Sequence, residues 1–159
     1  MNIRYLFVVV FSAVILPAAF TVLESQLGKG QHLSFGLFGK WFIFWAIGMR
    51  LFFAGLSQAI NPAFTAKEIF QLRDGSSYPI VRELGFANVC FGVVGLASLF
   101  LPTWRVVSAV ASGLYYGLAG FSHVFKKPAS ANETLALVSD LFIFVVLGVL
   151  VVFGFVPSP

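Results

Sequence analysis

Nearly all the residues that could do chemistry in this chain lie inside or at the edges of its apolar stretches: Arg50, Gln58, Asn61, Glu83, Asn88, Tyr115, Tyr116, His123 and Asp140. A guanidinium among carboxylates, phenols and an imidazole could bind an anionic or quinone-like headgroup, or move protons. The same groups could equally serve as interhelical clamps, each hydrogen bond contributing often under about 1 kcal/mol. No HExxH, no nucleophile elbow, no Gly-Lys-Ser/Thr phosphate loop and no GxGxxG after a strand accompanies them, so no catalytic template is recognisable and an enzyme is the less favoured reading. His32 lies in a connector with no second ligand near it in sequence, and His123 reads as bonded to a neighbour, so no metal site is expected.

These residues need elements to hold them, and composition says which. The 159 residues are 59% hydrophobic and 10% charged, with a mean hydropathy of +0.95; a soluble chain is about a quarter charged. The net charge of +4 is scattered along connectors, which excludes a nucleic-acid patch and fits topology determinants and anionic-lipid contacts. About twenty apolar residues cross a hydrocarbon core of roughly 30 Å. The pattern therefore predicts one all-α membrane domain over 1–159 with five transmembrane helices, at about 5–23, 41–61, 83–101, 104–125 and 133–156. The first is too long for a signal-peptide core and no good cleavage site follows it, so it is retained as a helix that Pro17 could kink. Two capping-box spacings occur, Thr65 to Glu68 and Ser130 to Glu133; the former suggests a short interfacial helix at 64–72. Asn61-Pro62 ends the second helix.

Five crossings put Arg4, Lys67, Arg73, Arg82, Lys126 and Lys127 on one face and Lys29, Lys40 and Arg105 on the other. The positive-inside rule then places the amino terminus in the cytoplasm and the carboxyl terminus outside, with Trp41 and Trp104 at the outer boundary. In that frame most embedded polar residues gather in the inner half, on four helices. Arg50 lies near mid-membrane, where a charge is costly and faces the interior, a partner or water. Asp140 differs from it by about 6 Å of rise, within reach of an arginine side chain, and Glu83 is a second candidate counter-charge. Gly85, Gly92 and Gly95 form one small-residue stripe, and Ala109, Gly113, Gly117 and Gly120 another. They are expected to bring the third and fourth helices together, or else to form a homodimer face. The last helix has few small residues after Asp140 and is expected to border lipid or await a partner. Cys90 is alone in an apolar run, which excludes an intrachain disulfide and points to packing.

From residue 42 to 152 the chain resembles the DoxX-like group of small bacterial membrane proteins. The resemblance rests on Arg50 and Gly55 running into Asn61-Pro62, on Arg82-Glu-Leu-Gly85-Phe-Ala-Asn88 with Gly92 and Gly95, and on the Pro102/Trp104 corner. It implies a four-helix bundle to which this chain adds an amino-terminal helix, and an association with quinone-linked or oxidative-stress complexes, although no redox cysteine set is present. The functional expectation is a small inner-membrane protein in contact with the bilayer, serving as an accessory or assembly subunit or binding a lipid or quinone without turnover. Its partners would be another membrane protein or a second copy. The alternative is an enzyme or transporter subunit that uses the Arg/Glu/His/Asp cluster.

Overall fold

The computed structural model describes residues 1–28, 32–72 and 74–154. Lys29 and Arg73, and residues 155–156 of the expected last helix, lie outside the described residues. Five long helices account for most of the chain: α1 (Ile3–Leu27), α2 (Phe35–Ile60), α3 (Tyr78–Ala97), α4 (Trp104–Lys126) and α5 (Ala131–Gly154). Among the described residues there is no strand. Four helices, α1, α2, α5 and α3 with the turn before it, are long and apolar enough to cross a membrane. The fifth, α4, is as long but richer in serine and tyrosine.

Several helices begin earlier than the composition suggests. Ser34 caps α2, its hydroxyl accepting from the Leu37 N–H at 3.1 Å, so 35–40 is helix rather than connector. A 3-10 turn at Gly75–Ser77 leads directly into α3, with Pro79 in its first turn, where its missing N–H costs nothing. The short helix expected at 64–72 is a helical segment over 63–69, π-helical at Thr65–Ile69 and without a side-chain cap. Thr65 and Glu68 therefore form no capping box. At Ser130 half the expected box forms: its hydroxyl accepts from the Glu133 N–H at 3.1 Å, while the Glu133 carboxylate takes the Ala129 N–H at 2.8 Å.

Glycine decides which helices pair. A Cβ on Gly85 would lie 2.8 Å from the Ala59 nitrogen and the Gly55 carbonyl oxygen, and one on Gly95 2.6 Å from the Gly48 nitrogen. The α3 stripe thus packs on α2. A Cβ on Gly117 would lie 2.8 Å from the Phe144 ring, and one on Gly120 2.7 Å from Leu141, so the α4 stripe packs on α5. This corrects the expected α3–α4 contact. Both stripes are used, but each is spent on another helix. The last helix, α5, has two faces: Val138, Val145, Val152 and Phe153 are exposed, while Ile143 and Leu147 are fully buried in a core with Phe42, Ile43, Ala46, Ile47 and Ala109.

Alternation of direction follows from the ends. The Asn2 N–H donates to the Asn132 side chain at 2.8 Å, joining the starts of α1 and α5. At the far end Glu24 accepts from Lys40 Nζ at 2.7 Å and from the Trp41 indole at 2.6 Å, and a Cβ on Gly36 would lie 3.5 Å from the Gly154 carbonyl oxygen.

Candidate functional site

The far half of α1 is fastened to α2, with the Phe20 ring 4.8 Å from Trp41 and 5.1 Å from Trp45. Its near half is held mainly at the tip, by Asn2 and by the Tyr5 ring 6.2 Å from Phe64. Between those attachments a cavity of about 730 Å³ lies among all five helices and the turn at Thr65–Ile69. Phe7 and Val8 of α1 and Phe53 of α2 line it and are more than half exposed, so it opens sideways between those helices. Its walls are otherwise mostly apolar, as in small-molecule sites generally.

Seven of the residues singled out from the sequence line this one cavity: Arg50, Gln58, Asn88, Tyr115, Tyr116, His123 and Asp140. Asn61 and Glu83 do not. Asn61 is exposed at the end of α2, and Glu83 is exposed on α3. Because α3 starts at Tyr78, Glu83 is already inside the helix. It sits five residues from Asn88, and so about 140° around the axis from the glycine face. It is not a partner of Arg50.

A π-helical stretch at Ile43–Met49 sets the arginine. There the Arg50 N–H reaches back to the Trp45 carbonyl, five residues earlier, and the widened turn leaves the Ala46 carbonyl free to accept the Tyr116 hydroxyl at 3.1 Å. Such bulges recur at functional sites because they re-aim side chains. The guanidinium donates through Nη2 to the Ser139 hydroxyl at 2.9 Å and lies 3.6 Å from Asp140 Oδ1. Its centre is 5.6 Å from the centroid of the Tyr116 ring. The Arg50 and Asp140 side chains are only 9% and 13% exposed. The nearest partner is therefore the serine hydroxyl, with the carboxylate as a close counter-charge behind it. On the facing wall Asn88 donates to Gln58 Oε1 at 2.7 Å, and Tyr115 stacks on Phe91 at 5.1 Å.

Three buried polar atoms of cavity-lining residues make no short hydrogen bond to protein, Arg50 Nη1, Trp45 Nε1 and Asn88 Oδ1, although the Tyr5 hydroxyl stands beside the Arg50 guanidinium and the Tyr115 hydroxyl beside the Asn88 amide. Buried polar groups are nearly always satisfied, so each orphan calls for an explanation.

A second polar knot closes the near end. Glu133 is fully buried, with its Oε1 3.2 Å from Lys126 Nζ and 3.4 Å from His123 Nδ1. Lys126 also donates to the Phe70 carbonyl at 3.1 Å, and Asn132 to Glu68 Oε2 at 3.3 Å. His123 thus faces the cavity on one side and a buried carboxylate on the other. No group of three His, Cys, Asp or Glu able to hold a metal occurs among the described residues. Cys90 is exposed on the surface of α3 rather than packed inside.

Sequence reasoning missed Tyr5, Trp45, Ser139 and Glu133. Tyr5 is a phenol interrupting an apolar run and could have been found that way, whereas Ser139 is one serine among many. Glu133 was visible only as a cap, and nothing in the sequence marks the π-helical turn that brings Trp45 and Arg50 to one wall.

Fold and site together define an all-helical bundle with apolar side chains outside and its polar groups turned inward. The chain belongs to a family of unknown function, DUF6790, whose model matches residues 4–156. No curated protein and no solved structure matches it.

Proposed function

We propose that this is a five-span protein of the inner (plasma) membrane, amino terminus in the cytoplasm and carboxyl terminus outside. It binds a hydrophobic ligand, a lipid or quinone, in the lateral cavity without turnover, as an accessory or assembly subunit. The single observation that carries the reading is that cavity. It has an apolar wall, a sideways opening between α1 and α2, and the buried Arg50–Asp140 pair in its lining.

The distribution of polarity along α4 supports the fifth crossing. Its buried face carries Ser108, Ser112, Tyr116 and His123 with Ala109, Gly113, Gly117 and Gly120, while Val107, Val110, Leu114, Leu118 and Phe125 point outward. A soluble helix shows the reverse arrangement. The orientation is supported by Arg4, Lys67, Arg82, Lys126 and Lys127 at the near end. At the far end Lys40 is neutralised by Glu24. The bundle from α2 onward is read as DoxX-like, with α1 added to form the fifth wall of the cavity.

Native mass spectrometry of gently extracted protein tests the binding reading. The wild type should carry an adduct of lipid or quinone mass, and Ala54→Phe, which fills the cavity wall, should lose it while keeping its helix content. Bare wild-type protein, or identical adducts on both, would contradict the reading. A proton-moving subunit is the second reading, and it is favoured by His123 standing between the cavity and buried Glu133. Reconstituted vesicles with a pH dye would then report proton flux that His123→Gln abolishes.

A further inference from the structure

Resting on the ligand-binding reading above, we infer that the ligand is a lipid of the leaflet at the near end of the bundle, bound head-out. Its polar head stays at the rim beside Asn2 and Arg4, and one chain runs inward toward Trp45. The lining on α1 starts at Asn2 and ends at Leu16, a rise of about 20 Å. On α2, which runs the other way, it spans Trp45 to Gln58. The cavity is therefore a slot along the helix axes, longer than half of a hydrocarbon core of roughly 30 Å. Its two ends differ. At the near end it reaches Asn2, Arg4 and Phe70, and Arg4 is exposed. At the far end it is stopped by Phe20, whose ring lies 4.8 Å from Trp41 and 5.1 Å from Trp45. Beyond that plug Glu24 holds Lys40 and Trp41. No described residue of α1 after Leu16, of α2 before Trp45 or of α5 after Asp140 lines the slot.

Desolvation sets the direction. A head carried to the level of Arg50 would have to shed its water and pass the apolar opening at Phe7, Val8 and Phe53, a costly transfer for any polar group. A head left at the rim keeps its water, and only the chain crosses that opening. The polar groups midway along the slot do not call for a head, because they serve one another. Arg50 has Ser139 and Asp140, with Tyr5 and Tyr116 beside it. Asn88 has Gln58 and Tyr115, and His123 is turned to Glu133. At the rim the Glu68 carboxylate is taken up by Asn132 at 3.3 Å and does not line the slot. Arg4 joins no ion pair among the described residues, so a head phosphate would meet a cation there.

The experiment uses the full chain in detergent micelles with Trp41→Phe and Trp104→Phe, so that Trp45 alone reports. Two lysophosphatidylglycerols are titrated that differ only in where the acyl chain carries its bromines, beside the carboxyl end or beside the methyl end. With the head at the near rim the methyl end lies at Trp45. A head at Arg50, or a lipid from the other leaflet, brings the carboxyl end there instead. Saturable quenching should be several-fold stronger from the methyl-end probe, and Ala54→Phe should remove the saturating part for both. Equal quenching, or stronger quenching from the carboxyl-end probe, would overturn the head-out assignment. Loss of that quenching in Ala54→Phe would then leave the cavity reading standing. No saturable quenching from either probe, or quenching that Ala54→Phe leaves untouched, would overturn both.

Discussion

Arg50 and Asp140 each sit where an unpaired charge would be costly, and each is close enough to the other to offset that cost. Replacing Arg50 by Gln or Asp140 by Asn alone leaves the other charge buried and uncompensated, which should lower stability by roughly 3–5 kcal/mol. The double replacement should recover most of the loss in a thermal or denaturant unfolding series in detergent. An additive double variant would show that the two do not act as a pair. Tyr116→Phe removes the hydroxyl that satisfies the Ala46 carbonyl, and should cost about 1 kcal/mol in the same assay. A charge, amide or phenol inside an apolar run declares itself in the sequence, which is why Arg50, Asn88, Tyr115, Tyr116, His123 and Asp140 are legible there. Ser139, the residue that Arg50 touches most closely, could not be ranked above the other serines. Trp45 reads as one aromatic among many.

At the level of elements, each glycine stripe shows that some backbone approaches closely there, without showing which. That choice belongs to helix directions and crossing angles, which depend on all five helices together. It placed α3 on α2 and α4 on α5 against the expectation from chain order. Gly92→Ala would push a Cβ into the Phe52 backbone and should destabilise the α2–α3 pair by on the order of 1–3 kcal/mol, with reduced folded yield. Gly148→Ala, in the same chain but with nothing within 4 Å of the added Cβ, should be neutral or slightly stabilising. Equal effects at the two positions would argue against close packing at Gly92. The π-helical turn at Ile43–Met49 was illegible for a different reason. It follows from how α2 must twist to satisfy its neighbours, and no local residue preference encodes it.

For the whole molecule, the number of crossings turns on α4: four other helices are long and apolar enough to cross a membrane, and α4 is the fifth crossing proposed above. Its polar residues lower its average hydropathy, yet they are spent on the interior. With Cys90 replaced by Ser, single cysteines at His32 and Thr103 should react with a membrane-impermeant maleimide on intact cells. Those at Ser76 and Ala129 should react only after permeabilisation. Thr103 and Ala129 reacting from the same side would remove α4 as a crossing. The central claim is that the sideways cavity takes a hydrophobic ligand. The most direct test uses Trp45, which lines the cavity, as the reporter, in a Trp41→Phe/Trp104→Phe background, titrated with a single-chain lipid brominated at the double bond of its acyl chain. The account predicts saturable quenching of Trp45 that Ala54→Phe abolishes. Quenching that rises without saturation, and equally in both proteins, would contradict it.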